Sequence, residues 1–280
     1  MRIIEWDAFV KEGLPVACSK AADMAADRVA GNAAKRAAMA VGIFDGVHRG
    51  HKVLIEKIVS RKEMLPVIIT FRSVLKAGAG KKYPGDILSF RQKTEIFESM
   101  GVAVTVAADL TGSFKRMSGE EFLAILRGCG NMGFMAVGSN FRCGHNQDTD
   151  ADKIVRINTR ENIQTEITEV IAEEGVPISS SRIRSAIANG KLLEAEAMLG
   201  RPYCLDLKDL AAAPADSFGG LVYDMGAEHP ASSRVLPPSG TFTVMLHTKN
   251  GKEKAVIQIE KRYIRVLQLQ KSEPVTSCLF

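Results

Sequence analysis

Short apolar stretches alternate with amphipathic stretches over about the first 200 residues of the chain. The apolar stretches predict five strands, at 38–44, 66–71, 102–107, 134–137 and 167–171. The second of these is rich in Val and Ile, which is typical of a buried parallel strand. Strands that alternate with helices indicate βαβ units, so we expect an α/β domain with a mainly parallel sheet. Ligands of such sheets bind at the carboxyl ends of the strands, near a topological switch point.

The amphipathic stretches predict helices between these strands. Residues 53–59 carry apolar side chains at helical spacing. Two further helices begin with capping boxes, in which Ser89 pairs with Gln92 and Ser118 pairs with Glu121. Other helices are predicted around 154–157 and, as two short helices separated at Asn189-Gly190, over 179–199.

The pattern changes after residue 202. Phe242, Val244 and Leu246 alternate with more polar positions, and the residues Lys249-Asn250-Gly251-Lys252 predict a hairpin turn. The alternation continues beyond the turn at Ala255, Ile257 and Ile259, and another strand is predicted at 264–269. We therefore expect two domains, an α/β domain over 1–202 and a small all-β module over 203–280. The Ala-rich segment 17–38 is expected to be an insertion or a surface helix.

Composition narrows the class of protein. The apolar fraction of 46% and the charged fraction of 25% are ordinary for a globular chain, and the net charge of +5 suits an anionic small molecule as well as it suits nucleic acid. The sequence contains no dense Lys/Arg block with interleaved aromatics, so nucleic-acid binding is the weaker alternative. The five cysteines are scattered without a CxxC pair, and we find neither a signal peptide nor an apolar run of the roughly 20 residues that a membrane span needs. We therefore expect a cytoplasmic protein without a metal-ligand cluster of its own.

Residues 41–51 run from the end of a predicted strand, through a glycine turn, into a predicted helix. Gly42 and Gly46 allow the backbone to approach a ligand closely, and the helix N-terminus offers free N–H groups to a phosphate. His48 and His51 lie three residues apart, so both imidazoles can face one ligand. Adenylyl transfer spreads negative charge over the α-phosphate and the leaving pyrophosphate, and two imidazoles that donate hydrogen bonds stabilise that charge.

The alternative is a glycine turn with incidental histidines, and a bare His-x-x-His pattern favours that alternative. Two of the five histidines of the chain fall within this one turn, however, which favours a functional site. Asp45 within the turn either accepts a hydrogen bond from a histidine or holds the turn.

The string from Phe44 to His51, Phe-Asp-Gly-Val-His-Arg-Gly-His, resembles the His-x-Gly-His signature of the nucleotidyltransferase superfamily. It is especially similar to the bacterial bifunctional riboflavin kinase/FAD synthetase family. The resemblance implies a Rossmann-like nucleotidyltransferase domain that makes FAD and pyrophosphate from FMN and ATP with Mg²⁺. It also implies that His48 and His51 stabilise the transferring phosphate. The residues that it implies as nucleotide contacts are Gly42, Phe44, Asp45, Gly46 and Gly50.

A second string, Ile-Ser-Ser-Ser-Arg-Ile-Arg at 178–184, combines hydroxyls that cap a helix with two arginines suited to phosphate. On local grounds alone, an ordinary serine cap with two solvated arginines is the favoured interpretation. The string is similar to Ile-Ser-Ser-Thr-Arg-Ile-Arg of the same family, and Gly200-Arg201-Pro202-Tyr203 is similar to the end of that family's transferase domain. The resemblance implies ATP-phosphate contacts by Ser180, Ser181 and Arg184, and a catalytic phosphate contact by Arg182.

Other parts match the family less well. Asn140 lies in a loop that resembles the family's Gly-x-Asn/Asp-Phe-x-Phe-Gly segment, and the alternative there is a plain turn. Thr70 and Phe71 match the start of a segment that continues Asp/Glu-Pro-His-Pro in the family and Arg-Ser-Val-Leu here. The resemblance implies substrate contacts by Asn140, Thr70 and Phe71. Because the matches fail beyond Phe71, a different phosphate acceptor is a second hypothesis. A non-catalytic nucleotide- or flavin-binding paralogue is a third, which rests on the loss of the kinase motif from the C-terminal module.

The C-terminal module resembles a truncated riboflavin kinase domain, with a β-barrel-like framework from Pro238 onwards. The family's Gly-x-Pro-Thr-Ala-Asn motif does not occur between Tyr203 and Phe280. We therefore expect no phosphorylation of riboflavin by this chain. The expected partners are the small molecules ATP and FMN, without nucleic acid or membrane, and oligomerisation is left open.

Overall fold

The computed structural model describes residues 1–14, 35–72, 84–109, 114–208, 210, 212–214, 221–224, 234–249, 251–261, 263–267 and 275–280. Most of the Ala-rich segment 17–38 lies outside these ranges, so the expectation for it stays a prediction. The described chain divides into two units. The first contains the described residues of Met1–Phe44, 50–72 and Thr94–Val170, and the second contains Asp45–Arg49, 84–93 and the described residues from Ile171 onwards. The domain boundary expected between residues 202 and 203 stays a prediction.

The first unit is built on a six-stranded sheet in which neighbouring strands run parallel to each other. Its strands are β1 (Arg2–Glu5), β2 (Ala37–Val41), β3 (Leu65–Phe71), β4 (Val104–Ala108), β5 (Met132–Gly138) and β8 (Gln164–Thr168), with a two-stranded pair β6 (Arg142–Cys143) and β7 (Thr149–Asp150) beside them. Its helices are α1 (Trp6–Glu12), α2 (Arg49–Val59), α3 (Phe90–Ser99), α4 (Gly119–Gly130) and α5 (Ala151–Arg160). The first residue of α2 and the first four residues of α3 belong to the second unit.

The strand order β1-β4-β3-β2-β5-β8 places the topological switch point between β2 and β5. The chain runs from β2 outwards to β3 and β4 on one side, and β5 and β8 lie on the other. All five residues of β2 are buried, as are most residues of β3, β4 and β5, because helices cover both faces of a parallel sheet. The structure thus confirms the predicted α/β class.

The fifth strand differs from its prediction. The apolar run 167–171 predicted it, whereas β8 covers Gln164–Thr168 and pairs with β5 from Phe134 onwards. Since β8 has only one neighbour in the sheet, it is half exposed and does not need a continuous apolar sequence. Glu166 in this strand forms ion pairs with Lys57 and Arg61 of the α2 region.

Both predicted capping boxes are present. The Ser118 hydroxyl accepts the Glu121 N–H at 3.2 Å, and Glu121 accepts the Ser118 N–H at 2.8 Å. The Ser89 hydroxyl accepts the Gln92 N–H at 3.0 Å, and Gln92 accepts the Ser89 N–H at the same distance. These local hydrogen bonds satisfy backbone donors at the starts of α4 and α3, which is why four residues sufficed to predict each start.

The second unit combines two short helices with antiparallel strands. Its helices are α6 (Ser180–Ala188) and α7 (Leu192–Leu199), separated as predicted at Asn189-Gly190. Its strands are the hairpin β9 (Ala172–Glu173) and β10 (Val176–Pro177), followed by β11 (Cys204–Asp206), β12 (Ala212–Pro214), β13 (Leu221–Asp224), β14 (Gly240–Thr248), β15 (Gly251–Glu260), β16 (Tyr263–Val266) and β17 (Val275–Leu279).

The seven longer strands form one antiparallel sheet in the order β11-β17-β14-β15-β16-β13-β12. The predicted hairpin joins β14 to β15, where Thr248 pairs with Gly251. Val244 and Leu246 are buried on β14, and Ala255, Ile257 and Ile259 are buried on β15, so the predicted alternation is confirmed. This sheet is the predicted small β-barrel-like module. Across the described ranges, no helix has the length and apolar character needed to cross a bilayer.

Candidate active site

In the first unit, the carboxyl ends of β2 and β5 lie side by side at the switch point. Ala40 pairs with Ala136, so the chain leaves both strands at the same edge of the sheet. Residues 42–44 follow β2, and Ser139 and Asn140 follow β5. A doubly wound sheet binds its ligand at this edge. Residues 41–51, called the glycine motif below, therefore begin at the position where the fold predicts a binding site.

The turn after β2 is fixed by Phe44. Its backbone is left-handed, with φ of +52°, and its ring is buried, edge-on to His51 at 5.1 Å and to Phe97 at 5.6 Å. The same ring explains Gly42, because a Cβ there would lie 3.2 Å from it. A left-handed phenylalanine is uncommon and costs conformational energy, so packing in this unit holds the turn in shape. Phe44 and His51, two predicted site residues, are thus in contact within the first unit, to which Gly50 also belongs.

The predicted substrate residues have different environments. Thr70 is fully buried, and its hydroxyl donates to the Ile43 carbonyl at 3.1 Å, so it supports the glycine turn. Phe71 is buried and packs edge-on against Phe114 at 5.5 Å. Asn140 is exposed in the turn that follows β5. Of these three, Asn140 alone presents its side chain to solvent at the sheet edge.

In the second unit, Asp45 is the centre of a buried hydrogen-bond network. Its carboxylate accepts the Ile87 N–H at 3.0 Å and the Leu88 N–H at 3.3 Å, and it forms an ion pair with Arg184 at 2.7 Å. Its backbone carbonyl accepts the Ser180 hydroxyl at 2.8 Å. Two of the interpretations of Asp45 were a histidine acceptor and a residue that holds the turn, and these contacts are those of the second.

The network joins the two motifs found in the sequence. Asp45 comes from the glycine motif, while Ser180 and Arg184 come from the first turns of α6. Ser179 caps α6 by accepting the Arg182 N–H at 3.2 Å, and Ser181 is exposed in its first turn. The structure therefore brings together, in the second unit, residues that are about 135 positions apart in sequence.

Gly46 and Val47 continue the turn in left-handed conformation, with φ of +83° and +37°. A Cβ on Gly46 would lie 3.0 Å from the Ile87 side chain, so glycine is required by both conformation and space. Val47 is β-branched, and its positive φ is a strained conformation that its surroundings have to impose. Arg201 provides part of that restraint, since its guanidinium donates to the Gly46 carbonyl at 2.6 Å and to the Val47 carbonyl at 3.2 Å.

His48 follows this restrained segment and immediately precedes α2. Its side chain is buried, and burial, followed by the positive charge of Arg201, lowers the pKa of His48 to about 4. The imidazole is therefore neutral at pH 7 and has one N–H to donate. A phosphate anion bound next to it favours the protonated form, because opposite charges stabilise each other.

Two arginines of the motifs contact the β9–β10 hairpin. Arg49 forms an ion pair with Glu173 and also donates to the Ala197 carbonyl at 3.2 Å. Arg182 donates to the Val176 carbonyl at 2.8 Å and to the Glu173 carbonyl at 3.2 Å. In this structure the guanidinium of Arg182, predicted as a catalytic residue, is thus engaged by backbone carbonyls of the hairpin.

The part of the chain that the structure describes contains no group of three His, Cys, Asp or Glu side chains placed to hold a metal ion. Asp45, the one carboxylate within residues 41–51, is occupied by two backbone N–H groups and a guanidinium. The donor set of the motif therefore does not form a protein-held Mg²⁺ site.

Sequence reasoning did not identify Ile87, Leu88, Glu173 and Arg201 as neighbours of the motif. Ile87 and Leu88 act through backbone N–H groups, which any residue other than proline offers, so no residue pattern marks them. Arg201 lies in the Gly200–Tyr203 string, which is similar to the end of the family's transferase domain. That similarity singles out the string but assigns no role to Arg201.

Comparison with known proteins gives the family. The model of the FAD synthetase family matches residues 31–182, more than half of the chain. An FAD synthetase from Listeria monocytogenes is 30% identical over 212 residues, which cover 74% of this chain and 80% of that protein. A bifunctional riboflavin kinase/FMN adenylyltransferase from Escherichia coli is 28% identical over 211 residues, which cover 74% of this chain but 66%, less than two thirds, of that protein.

The fold has a solved counterpart. A Streptococcus pneumoniae structure described as a macrolide-efflux protein aligns with a TM-score of 0.76 over 100% of this chain and 89% of that one, at 18% identity. At that identity the likeness concerns the fold alone. The family match and the Listeria relative rest on sequence, and the matched residues 31–182 include the whole of 41–51 and the second string as far as Arg182. The chain therefore belongs to the FAD synthetase family.

Proposed function

We propose that this chain is an FMN adenylyltransferase, which makes FAD and pyrophosphate from FMN and ATP. A phosphate oxygen of FMN attacks the α-phosphorus of ATP, the bond from that phosphorus to the bridging oxygen of the β-phosphate breaks, and pyrophosphate leaves. The observation that carries the proposal is the buried Asp45–Arg184 ion pair, with the Ser180 hydroxyl on the Asp45 carbonyl. It supports a common task for the two family motifs, because each holds the other in place.

The residue roles follow from the chemistry of that reaction. His48 and His51 donate hydrogen bonds to the phosphate oxygens, where negative charge accumulates in the transition state. His48 begins neutral, since its pKa is lowered to about 4, and it gains positive character as the polyphosphate approaches. Gly42, Gly46 and Gly50 keep the backbone close to the nucleotide, and Ser181, exposed at the start of α6, offers a hydroxyl and a helix N-terminus to phosphate.

The other assigned residues act in two ways. Asp45, Arg184 and Ser180 hold the nucleotide turn, and Phe44 supports it through packing. Arg182 reaches phosphate once it leaves the hairpin carbonyls that it contacts here. We assign FMN contacts to the region of Asn140, Thr70 and Phe71, with Asn140 as the direct contact and the two buried residues as its support.

We propose that Mg²⁺ arrives with ATP, held by phosphate oxygens, since the described residues show no carboxylate cluster for it. The reaction consumes ATP, so we place it in the cytoplasm. We also propose that residues 203–280 do not phosphorylate riboflavin, because this stretch lacks the Gly-x-Pro-Thr-Ala-Asn motif.

The test is direct. The purified chain is incubated with ATP, FMN and Mg²⁺, and FAD and pyrophosphate are quantified by chromatography and a coupled assay. We expect both products in a ratio of one to one, and we expect the His48→Gln variant to lose most of the rate. Absence of FAD at high enzyme concentration would falsify the proposal. A parallel incubation with riboflavin and ATP tests the second part, where any FMN formed contradicts the assignment of residues 203–280.

A further inference from the structure

Arg201 follows α7 and reaches back to the turn that carries His48. Its guanidinium donates to three backbone carbonyls, those of Gly46 at 2.6 Å, Val47 at 3.2 Å and Leu199 at 3.4 Å. Two of these carbonyls belong to the two residues before His48. The planar guanidinium can hold both at once, which a lysine ammonium on a flexible stem does poorly.

The charge of Arg201 differs from the charges of four other arginines of the second unit. Arg184 is paired with Asp45, Arg49 with Glu173, Arg91 with Asp206 and Arg234 with Asp86. Burial lowers the pKa of Lys93 to about 8, and the charges of Asp45 and Asp86 oppose that shift. Within the described residues, Arg201 makes no ion pair and has carbonyl partners only.

A largely buried cation without a carboxylate is unusual, because removing a charge from water is costly. Burial lowers the pKa of Arg201 to about 10, so the side chain is still charged at pH 7. Its carbonyl partners supply partial negative charge only. Among the described residues of the second unit, no carboxylate pairs with this positive charge next to His48, and an anionic ligand can balance it.

We propose that Arg201 is a positioning residue of the adenylyl transfer proposed above: it fixes the strained Gly46-Val47 backbone that places His48, and it holds an unbalanced positive charge for the nucleotide phosphates. This inference depends on the proposed function for its kinetic part. Its structural part concerns the free protein and can be tested without any turnover.

The protonation of His48 supports the same arrangement. Burial lowers the pKa of His48 most, and the Arg201 charge lowers it further. The unfolded chain binds the proton with a pKa near 6.5, whereas the folded one binds it near 4. Above both values His48 is neutral in either state, and protons begin to favour the unfolded state as the pH falls below about 6.5. Because the Arg201 charge lowers the pKa of His48 in the folded protein, we expect its removal to raise that pKa.

The experiment compares Arg201→Met, which removes the charge and the clamp, with Arg201→Lys, which keeps the charge and loses the clamp. Arg36→Met is the matched control, because Arg36 also donates to a backbone carbonyl, that of Met132, but lies in the first unit. The His48 ring is titrated by NMR in the free proteins, with the resonance assigned by its absence in His48→Gln. Titrations are repeated with pyrophosphate, and kcat and KM for ATP are measured in parallel.

We expect the pKa of His48 to rise by about 1 pH unit in Arg201→Met and to change little in Arg201→Lys. We expect pyrophosphate to raise the pKa of His48 in the wild-type protein, and to bind more weakly to Arg201→Met. We expect kcat to fall by about 10- to 100-fold in both variants, since both misplace His48, while KM for ATP rises mainly in Arg201→Met. Arg36→Met is expected to match the wild type in all readouts.

Unchanged His48 titration and pyrophosphate binding in folded Arg201→Met contradict the inference, whether or not FAD is formed. Full kcat in Arg201→Lys contradicts the clamp. If the wild-type protein makes no FAD but the titration responds as expected, the proposed function fails while the pairing of Arg201 with His48 stands.

Discussion

Two buried parts of this protein are stabilised by opposite means. In the parallel sheet of the first unit, β2 is buried along its whole length with apolar side chains such as Met39 and Val41. In the second unit, Asp45 and His48 are also buried, but polar contacts from distant segments surround them. The sheet gains free energy from apolar area removed from water, at about 25 cal/mol per Å². The turn gains little net energy from each polar contact, yet the loss of one partner leaves a costly unpaired group.

The largest expected effect comes from breaking the ion pair of the turn. Asp45→Asn leaves the Arg184 guanidinium buried without its carboxylate and turns an acceptor into a donor near the Ile87 N–H. We expect a loss of about 3–5 kcal/mol in the free energy of unfolding, measured in urea. We also expect FAD formation to fall by at least about 100-fold, since the turn that carries His48 loses its support.

The control for that change is Glu194→Gln, which removes an equally simple ion pair with Lys191 at the surface of the second unit. The side chains of Glu194 and Lys191 are 50% and 61% exposed, respectively. We therefore expect the free energy of unfolding to change by less than about 1 kcal/mol. Similar losses in the two variants would show that the buried polar turn is no more sensitive than the surface.

The second prediction concerns the apolar side of the comparison. Ile154 on α5 is fully buried in the core of the first unit. Ile154→Ala removes apolar atoms and leaves a cavity, so we expect a loss of about 2–5 kcal/mol in unfolding free energy. In contrast to Asp45→Asn, the rate of FAD formation per folded molecule is expected to stay within about twofold of wild type, because α5 carries none of the proposed site residues. Ile154→Val should lose only about 0.5–1.5 kcal/mol, and a large loss of kcat in either variant contradicts the separation of core from site.

The same difference explains how much could be predicted from sequence. The strands around Ile68 and Met135 and the capping boxes at Ser89 and Ser118 are predictable because their causes are local: apolar runs, and residue pairs three positions apart. The edge strand β8 was displaced from its prediction because an edge strand carries polar residues. The motif residues were found through the family resemblance, and their roles stay predictions.

The supports of the turn could not be predicted from sequence. The Ile87 and Leu88 groups that hold Asp45 are backbone donors, and Arg201 reaches Gly46 from 155 positions away. Neither type of contact leaves a local pattern, because tertiary structure brings the partners together. Polar sites built from distant segments are therefore the part of this chain that only the structure identifies.

The smallest expected effect lies where polar contacts are partly solvated. Glu173 pairs with Arg49 at the start of α2, and the two side chains are 28% and 42% exposed. Such a pair adds about 0–1 kcal/mol, so Glu173→Gln should hardly change stability. Arg49 keeps its hydrogen bond to the Ala197 carbonyl, and Arg182 keeps its bonds to the backbone of the hairpin, so neither arginine is expected to move far.

Binding of ATP should respond more than stability does. The Glu173 carboxylate neutralises Arg49, which lies within residues 41–51, and we expect ATP phosphates to compete with it for that charge. We expect Glu173→Gln to lower KM for ATP by about 2- to 5-fold at low ionic strength, with a smaller effect at high salt, where exposed charges are screened. Glu174→Gln, one residue along and exposed, is the control and should leave KM unchanged. Equal KM values for Glu173→Gln and wild type would mean that Arg49 does not contact the nucleotide. The phosphate contacts of the turn would then depend on its other residues, such as the buried His48.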